Sequence, residues 1–219
     1  MQSKGKKFFS IFITILVVII LSLVGYLAYY YITNYLVLKE AEEAVEVFEE
    51  QVENIPEEPI EQENVVQEET PTTPVQTTNK TSSKNVSTYR GYNMVGTIQI
   101  PKTKVKVPIV DKVTTKSISA AVGILYGSGL NEVGNTVLVA HNYRNGTFFS
   151  NNKKLAIGDK IYITDSTGTK IEYTIYKTYT TSDMDFSYAT RDTEGKREIS
   201  LSTCTTDASK RLVIWARAD

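Results

Sequence analysis

A single cysteine, Cys204, excludes an intrachain disulfide, and a single histidine, His141, leaves too few soft ligands for a four-ligand structural zinc site of the usual kind. An excess of charge of one sign is also missing. With 24 Lys and Arg against 25 Asp and Glu the net charge is -1, and the C-terminal half has no basic patch interleaved with aromatics, so no nucleic-acid partner is expected. No second long apolar run follows Ala216. The scarcities leave open any chemistry that needs one thiol and one imidazole. At 219 residues the chain has room for one ordinary domain plus accessory segments.

The one long apolar run begins at Phe8 and reaches Tyr30 without a charged residue, after Lys4, Lys6 and Lys7. Its length fits one membrane-crossing helix, which satisfies its own backbone in lipid. A cleaved signal peptide would need small residues at its end, whereas Tyr26, Tyr29, Tyr30 and Tyr31 suit an interfacial aromatic belt. The expected division is a basic cytoplasmic tail (1–7), a signal-anchor helix (8–32), an acidic extracellular stalk, part helical and part flexible (33–88), and a catalytic domain (89–219). The basic flank places the amino terminus in the cytoplasm and the rest outside, in a single-pass membrane protein.

Within the stalk, Leu38, Ala41, Val45, Phe48, Val52 and Ile55 repeat at three-four spacing among glutamates. Such a stripe fits a short coiled coil or a helix continuing out of the membrane. Pro56 ends it, and the Glu-, Thr- and Pro-rich sequence up to Lys84 offers little to bury, so a flexible spacer is expected there.

From about Arg90 the pattern becomes that of short strands: 94–100, 105–110 after Pro101, 134–140, 161–163, 170–176, 197–201 and 212–216. Residues 164–168 read as a hairpin connection, 117–121 as a possible short helix, and 179–196 as a polar loop able to wall a groove. The domain is therefore expected to be all-β dominated, a mostly antiparallel sheet closed or nearly closed to hide its edges.

Cys204 ends one strand-like run and Arg211 opens the next, while His141 ends a third. A lone cysteine is ordinarily a small buried hydrophobe. In an exported chain without a partner thiol, however, its retention asks for a reason. Imidazolium stabilises thiolate, and the histidine can later protonate a departing amine. Arg211 stays charged and cannot be a base, but it can donate hydrogen bonds to a developing oxyanion. Arg217 lies on the same strand face, about 20 Å further along at roughly 3.3 Å per residue, which makes Arg211 the better choice.

Taken together, Leu201-Ser202-Thr203-Cys204, Lys210-Arg211-Leu212-Val213-Ile214 and the strand 134–139 leading through Ala140 to His141 and Asn142 resemble the sortases, the membrane-anchored cysteine transpeptidases of Gram-positive bacteria. Gly96-Thr97-Ile98-Gln99-Ile100-Pro101 and Asn145-Gly146-Thr147-Phe148-Phe149 resemble further regions common in that family, so the likeness runs over about 92–216. The resemblance implies a closed eight-stranded sortase β-barrel with short helices. It implies Cys204 as nucleophile on the Thr–Gly amide of a Leu-Pro-x-Thr-Gly-like sorting signal, through a thioacyl intermediate. His141 would act as acid and then base, and Arg211 would hold substrate and oxyanion. Thr203, Ala140 and Asn142 are expected at the substrate groove, although many relatives carry glycine at the position of Ala140. A resting state of mostly neutral thiol and imidazole is also implied.

The implied partners are surface proteins bearing sorting signals, with an amine of the peptidoglycan cross-bridge, its lipid-linked precursor or a pilin as acceptor. No cofactor is expected. Calcium is not predicted, since Asp111, Glu132, Asp183 and Asp185 have no ligand spacing. Absence of a second apolar run argues against the pilin-polymerising group, and 179–196 is short for the helical insertion of the group associated with haem-uptake proteins. Two other functions stay open: a membrane-anchored cysteine peptidase, in which water replaces the amine, and a noncatalytic surface-binding domain with the thiol merely packed.

Overall fold

The computed structural model describes residues 2–54 and 87–218, and the spacer expected over 55–86 lies outside the described residues. One helix, α1 (Gln2–Glu53), runs without interruption from before the apolar run to the last turn ahead of Pro56. Its apolar side chains from Phe8 to Ile32 point outward and are uncovered by protein. That surface suits lipid, and the segment is long and apolar enough to cross a bilayer, consistent with an amino-terminal anchor.

Beyond the apolar run the same helix changes solvent. Ala41, Val45 and Phe48 are buried, with Val37, Ala44 and Val52 packed beside them in one stripe. Spacings of three and four residues place these groups on one helix face, as the sequence pattern required. That face lies on the barrel, in contact with β3 (Val105–Val110), and is not left free for a coiled coil. Two ion pairs flank it, Glu40 with Arg90 and Glu49 with Lys106, the latter at 2.7 Å. The stripe is apolar because it completes the core, while the glutamates around it face water and the basic rim of the domain.

The remaining strands are β1 (Thr88–Tyr89), β2 (Tyr92–Ile100), β4 (Val122–Tyr126), β5 (Gly134–Val139), β6 (Lys160–Asp165), β7 (Lys170–Ser182), β8 (Arg197–Cys204) and β9 (Lys210–Arg217). Eight of the nine strands, in the order β2-β3-β4-β5-β8-β9-β7-β6, close on themselves when β6 pairs back with β2. The result is a closed eight-stranded barrel, with β1 as a two-residue addition beside β2. Closure leaves its strands without a free edge. At the closing seam Gly96 is required by space: a Cβ there would lie 2.4 Å from the Thr164 carbonyl oxygen and 2.5 Å from Leu130 Cδ1. Alternating apolar residues point inward, so that Ile98, Ile109, Leu138, Ile163, Leu201 and Ile214 are fully buried.

Three local expectations change. The possible helix at 117–121 is a turn held by Ser117, whose backbone N–H donates to Thr114 Oγ1 while its hydroxyl accepts from the Thr114 N–H. This reciprocal bonding competes with helix for the same backbone groups. The short helices are instead single 3-10 turns at Pro101–Thr103 and Asn152–Lys154. Strand β7 also continues to Ser182, because residues up to Ser182 pair with β9 through the Ser182–Lys210 register. Its polar sequence belongs to a half-exposed strand and not to a loop.

Candidate active site

Parallel pairing of β5 with β8 brings two strands to one end of the barrel together, and antiparallel β9 starts at that same end. The register sets Val139 opposite Ser202 and Cys204 opposite Arg211. His141 leaves β5 two residues after Val139, as Cys204 follows Ser202 on β8. Residues 63 positions apart in the chain are thereby neighbours at the barrel rim, which sequence distance alone could not indicate. Arg217 is at the far end of β9, paired in register with Glu198 and set over the Tyr176 ring at 4.8 Å.

Cys204 is half-buried and free. Its sulfur accepts a hydrogen bond from Arg211 Nη1 at 2.8 Å. The same guanidinium that reaches the thiol therefore stands where negative charge would develop after attack. His141 is partly buried beside them, and its pKa is lowered, first by loss of solvent and then by the positive charge of Arg211. Both effects disfavour imidazolium and favour the uncharged imidazole.

Two hydrogen bonds hold the β5 and β8 ends in place. Thr203 Oγ1 donates to the Ala140 carbonyl at 2.8 Å, and Asn142 Nδ2 donates to the Cys204 carbonyl at 2.9 Å. Thr203 and Ala140 are buried beneath the rim, while Asn142 helps line the adjacent cavity. That cavity also touches Cys204, Thr205, Thr206, Phe149, Lys153, Thr180 and Leu212. Its apolar wall comes from Phe149 and Leu212, and among the described residues lining it Lys153 is the one cationic residue. Sequence marks neither Lys153 nor Thr180 as a site residue, whereas Phe149 ends the family-like run 145–149; the place of Thr180 on β7 follows only from pairing with β9.

The loop 183–196 does not line this cavity. Tyr188 and Ala189 pack against Val137 and Val213, and their carbonyls accept from Asn135 Nδ2 at 3.0 Å each. The groove wall expected from 179–196 is therefore made by its strand portion. Among the described residues there is no group of three or more His, Cys, Asp or Glu able to hold a metal ion.

A thiol, an imidazole and a guanidinium meet at one rim of a closed β-barrel, a grouping suited to acyl transfer through a cysteine nucleophile. The chain belongs to the sortase family of cysteine transpeptidases: the sortase domain family matches residues 98–219, more than half of its length. Its structure is similar to that of sortase A from Corynebacterium diphtheriae in a lid mutant, with 28% identity, a TM-score of 0.54, and coverage of 58% of this chain and 71% of that one. For sortase A from the same organism the values are 28%, 0.53, 58% and 61%, so the match spans less than two thirds of that chain. A pilus-related sortase C of Group B Streptococcus is similar at 30% identity and TM-score 0.53, over 57% of this chain and 67% of the other. No curated protein matches the chain.

Proposed function

We propose that the protein is a membrane-anchored sortase that cleaves the Thr–Gly bond of a Leu-Pro-x-Thr-Gly-like sorting signal and transfers the threonyl carboxyl group to an amine. The observation carrying this reading is the Arg211 guanidinium bonded to the Cys204 sulfur, with the His141 imidazole, its pKa lowered, at the same rim. In the first half-reaction Cys204 Sγ attacks the threonyl carbonyl carbon, its proton passing to His141. Arg211 donates to the resulting oxyanion. Collapse breaks the C–N bond, His141 returns the proton to the departing glycyl amine, and a thioester remains on Cys204.

The second half-reaction runs the same steps in reverse order. An acceptor amine attacks the thioester carbon, His141 takes its proton, and the thiol leaves and is reprotonated. The acceptor would be an amine of the peptidoglycan cross-bridge, its lipid-linked precursor or a pilin. The basic residues ahead of the apolar run favour a cytoplasmic amino terminus and an extracellular barrel, where such acceptors and the exported substrates meet. The proposed division is a basic tail at 1–7, an anchor at 8–32, a stalk at 33–88 and a catalytic domain at 89–219.

Incubation of the full chain with a panel of sorting peptides, with and without an amine such as triglycine, tests this reading. The expected product is the amine-linked peptide, formed in preference to the hydrolysed acid and lost in Cys204→Ala. Hydrolysis unaffected by the amine would assign a peptidase, and no turnover by the folded protein across the panel would reject the proposal.

A further inference from the structure

His141 lies under an aromatic side chain from its own loop. The Tyr143 ring meets the imidazole at a centroid distance of 5.0 Å and an interplanar angle of 40°. Behind it the buried Phe148 ring packs edge-on against Tyr143 at 6.0 Å. The Tyr143 hydroxyl donates to the Ser119 carbonyl at 3.2 Å, reaching across to the 114–121 turn. One side chain thus touches the imidazole, the loop and a separate element of the barrel.

The loop is built to keep that ring in place. Asn142 bonds the Cys204 carbonyl through Nδ2 and accepts the Arg144 N–H through Oδ1 at 3.1 Å. Phe149 N–H donates to the His141 carbonyl at 3.3 Å. Arg144 and Phe148 both take left-handed backbone conformations, with φ of 60° and 47°. Such conformations are costly for residues with side chains and persist where surrounding contacts enforce them. The two strained positions bracket the segment that folds Tyr143 and Phe148 together beside His141.

We propose that Tyr143 is a positioning residue for the proton carrier: its ring roofs the His141 imidazole, and its hydroxyl pins that roof to the 114–121 turn. The inference rests on the reading of His141 as the acid and base of transfer. Among the described residues, the titratable or charged groups at this rim are Cys204 at the end of β8, Arg211 at the start of β9, Lys153 in the adjacent cavity, Tyr143 itself and the exposed Arg144 in the loop. The ring covers one face of the imidazole and so adds to the burial that is the first cause of its lowered pKa, while Arg211 supplies the second. Removing the ring readmits water and frees the imidazole to rotate away from the line between thiol and leaving amine.

Because His141 is the only histidine, its titration can be followed without ambiguity by NMR in the full chain, labelled at histidine Cε1 and held in detergent micelles. In Tyr143→Ala the midpoint is expected to rise by about half a pH unit or more as burial is lost. Tyr143→Phe retains the ring and is expected to stay close to the parent midpoint. In transfer assays Tyr143→Ala should lose about tenfold in kcat with KM within about twofold, as for a residue that orients a catalytic group. An unmoved midpoint in folded Tyr143→Ala would overturn the proposal. Should that variant fail to fold, Tyr143→Val, which is too short to cover the imidazole, must show a raised midpoint and reduced kcat; unchanged values for it would equally overturn the roof. Failure of the functional reading appears differently, as absent transfer by the parent chain while the titration difference persists.

Discussion

Truncation of Phe48 to alanine should destabilise a barrel to which that residue does not belong in sequence. Phe48 is 2% exposed and sits in the stripe with Ala41 and Val45 that covers β3. Replacing a buried phenylalanine by alanine in a core costs about 3–5 kcal/mol. Here the loss is capped, because a weakened helix can undock and leave the barrel standing; a cost of about 2–3 kcal/mol is expected, near the burial value of one large apolar side chain. For a domain of this size that lowers the melting midpoint by roughly 5–10 °C. The assay is thermal unfolding of the full chain in micelles, followed through Trp215, the only tryptophan and a residue of β9. Val47, on the exposed side of the same helix, supplies the control, since Val47→Ala should change stability by no more than about 0.5 kcal/mol. Equal midpoints for Phe48→Ala and the parent would refute the conclusion that the extramembrane part of α1 is a structural element of the domain.

Other perturbations separate the site from its scaffold. Arg211→Ala should reduce kcat/KM for transfer by about 10²–10³-fold, the loss typical of an oxyanion donor, with the melting midpoint little changed; activity within about threefold of the parent would remove Arg211 from the chemistry. Glu198→Ala should cost about 3–5 kcal/mol in denaturant unfolding, because it strands the Arg191 guanidinium, itself mostly buried, while also taking the acceptor from Tyr176, whose hydroxyl bonds Glu198 Oε2 at 2.6 Å. A loss below about 1 kcal/mol would show that Arg191 finds solvent or another partner. The pH dependence of stability follows from His141. Its folded pKa lies below the ordinary 6.5, so the unfolded chain binds the proton first as pH falls. The contribution is complete above about 6.5 and is lost as pH falls through the folded value. His141→Gln should flatten that part of the stability curve, and an unchanged slope would place the responsible group elsewhere.

The candidate site was legible to the extent that its residues end strands. Cys204, His141 and Arg211 each stand where an apolar alternating run stops or starts, and the parallel β5–β8 and antiparallel β8–β9 pairings bring those ends to one rim. The barrel was legible for the same reason, since alternation marks the inward face of most strands. Less visible were contacts that depend on register between elements far apart in sequence. Thr180 reaches the cavity because β7 pairs with β9 beyond the last obvious apolar residue, and Lys153 because a 3-10 turn carries it there. Nothing in the sequence marks Tyr143, whose ring lies beside His141. The α1 stripe had the correct period for burial, but periodicity does not name the surface that buries it; β3 and the flanking pairs to Arg90 and Lys106 do.

The central claim is that Cys204 carries the acyl group between donor and acceptor. Intact-mass spectrometry of the full chain, quenched in acid after brief exposure to a sorting peptide without amine, tests it most directly. The account predicts a mass increase equal to the peptide up to its threonine, mapped to Cys204, discharged by added amine and absent in Cys204→Ala. Amine-linked product formed by the Cys204→Ala protein, or an adduct mapped to any other residue, would contradict it.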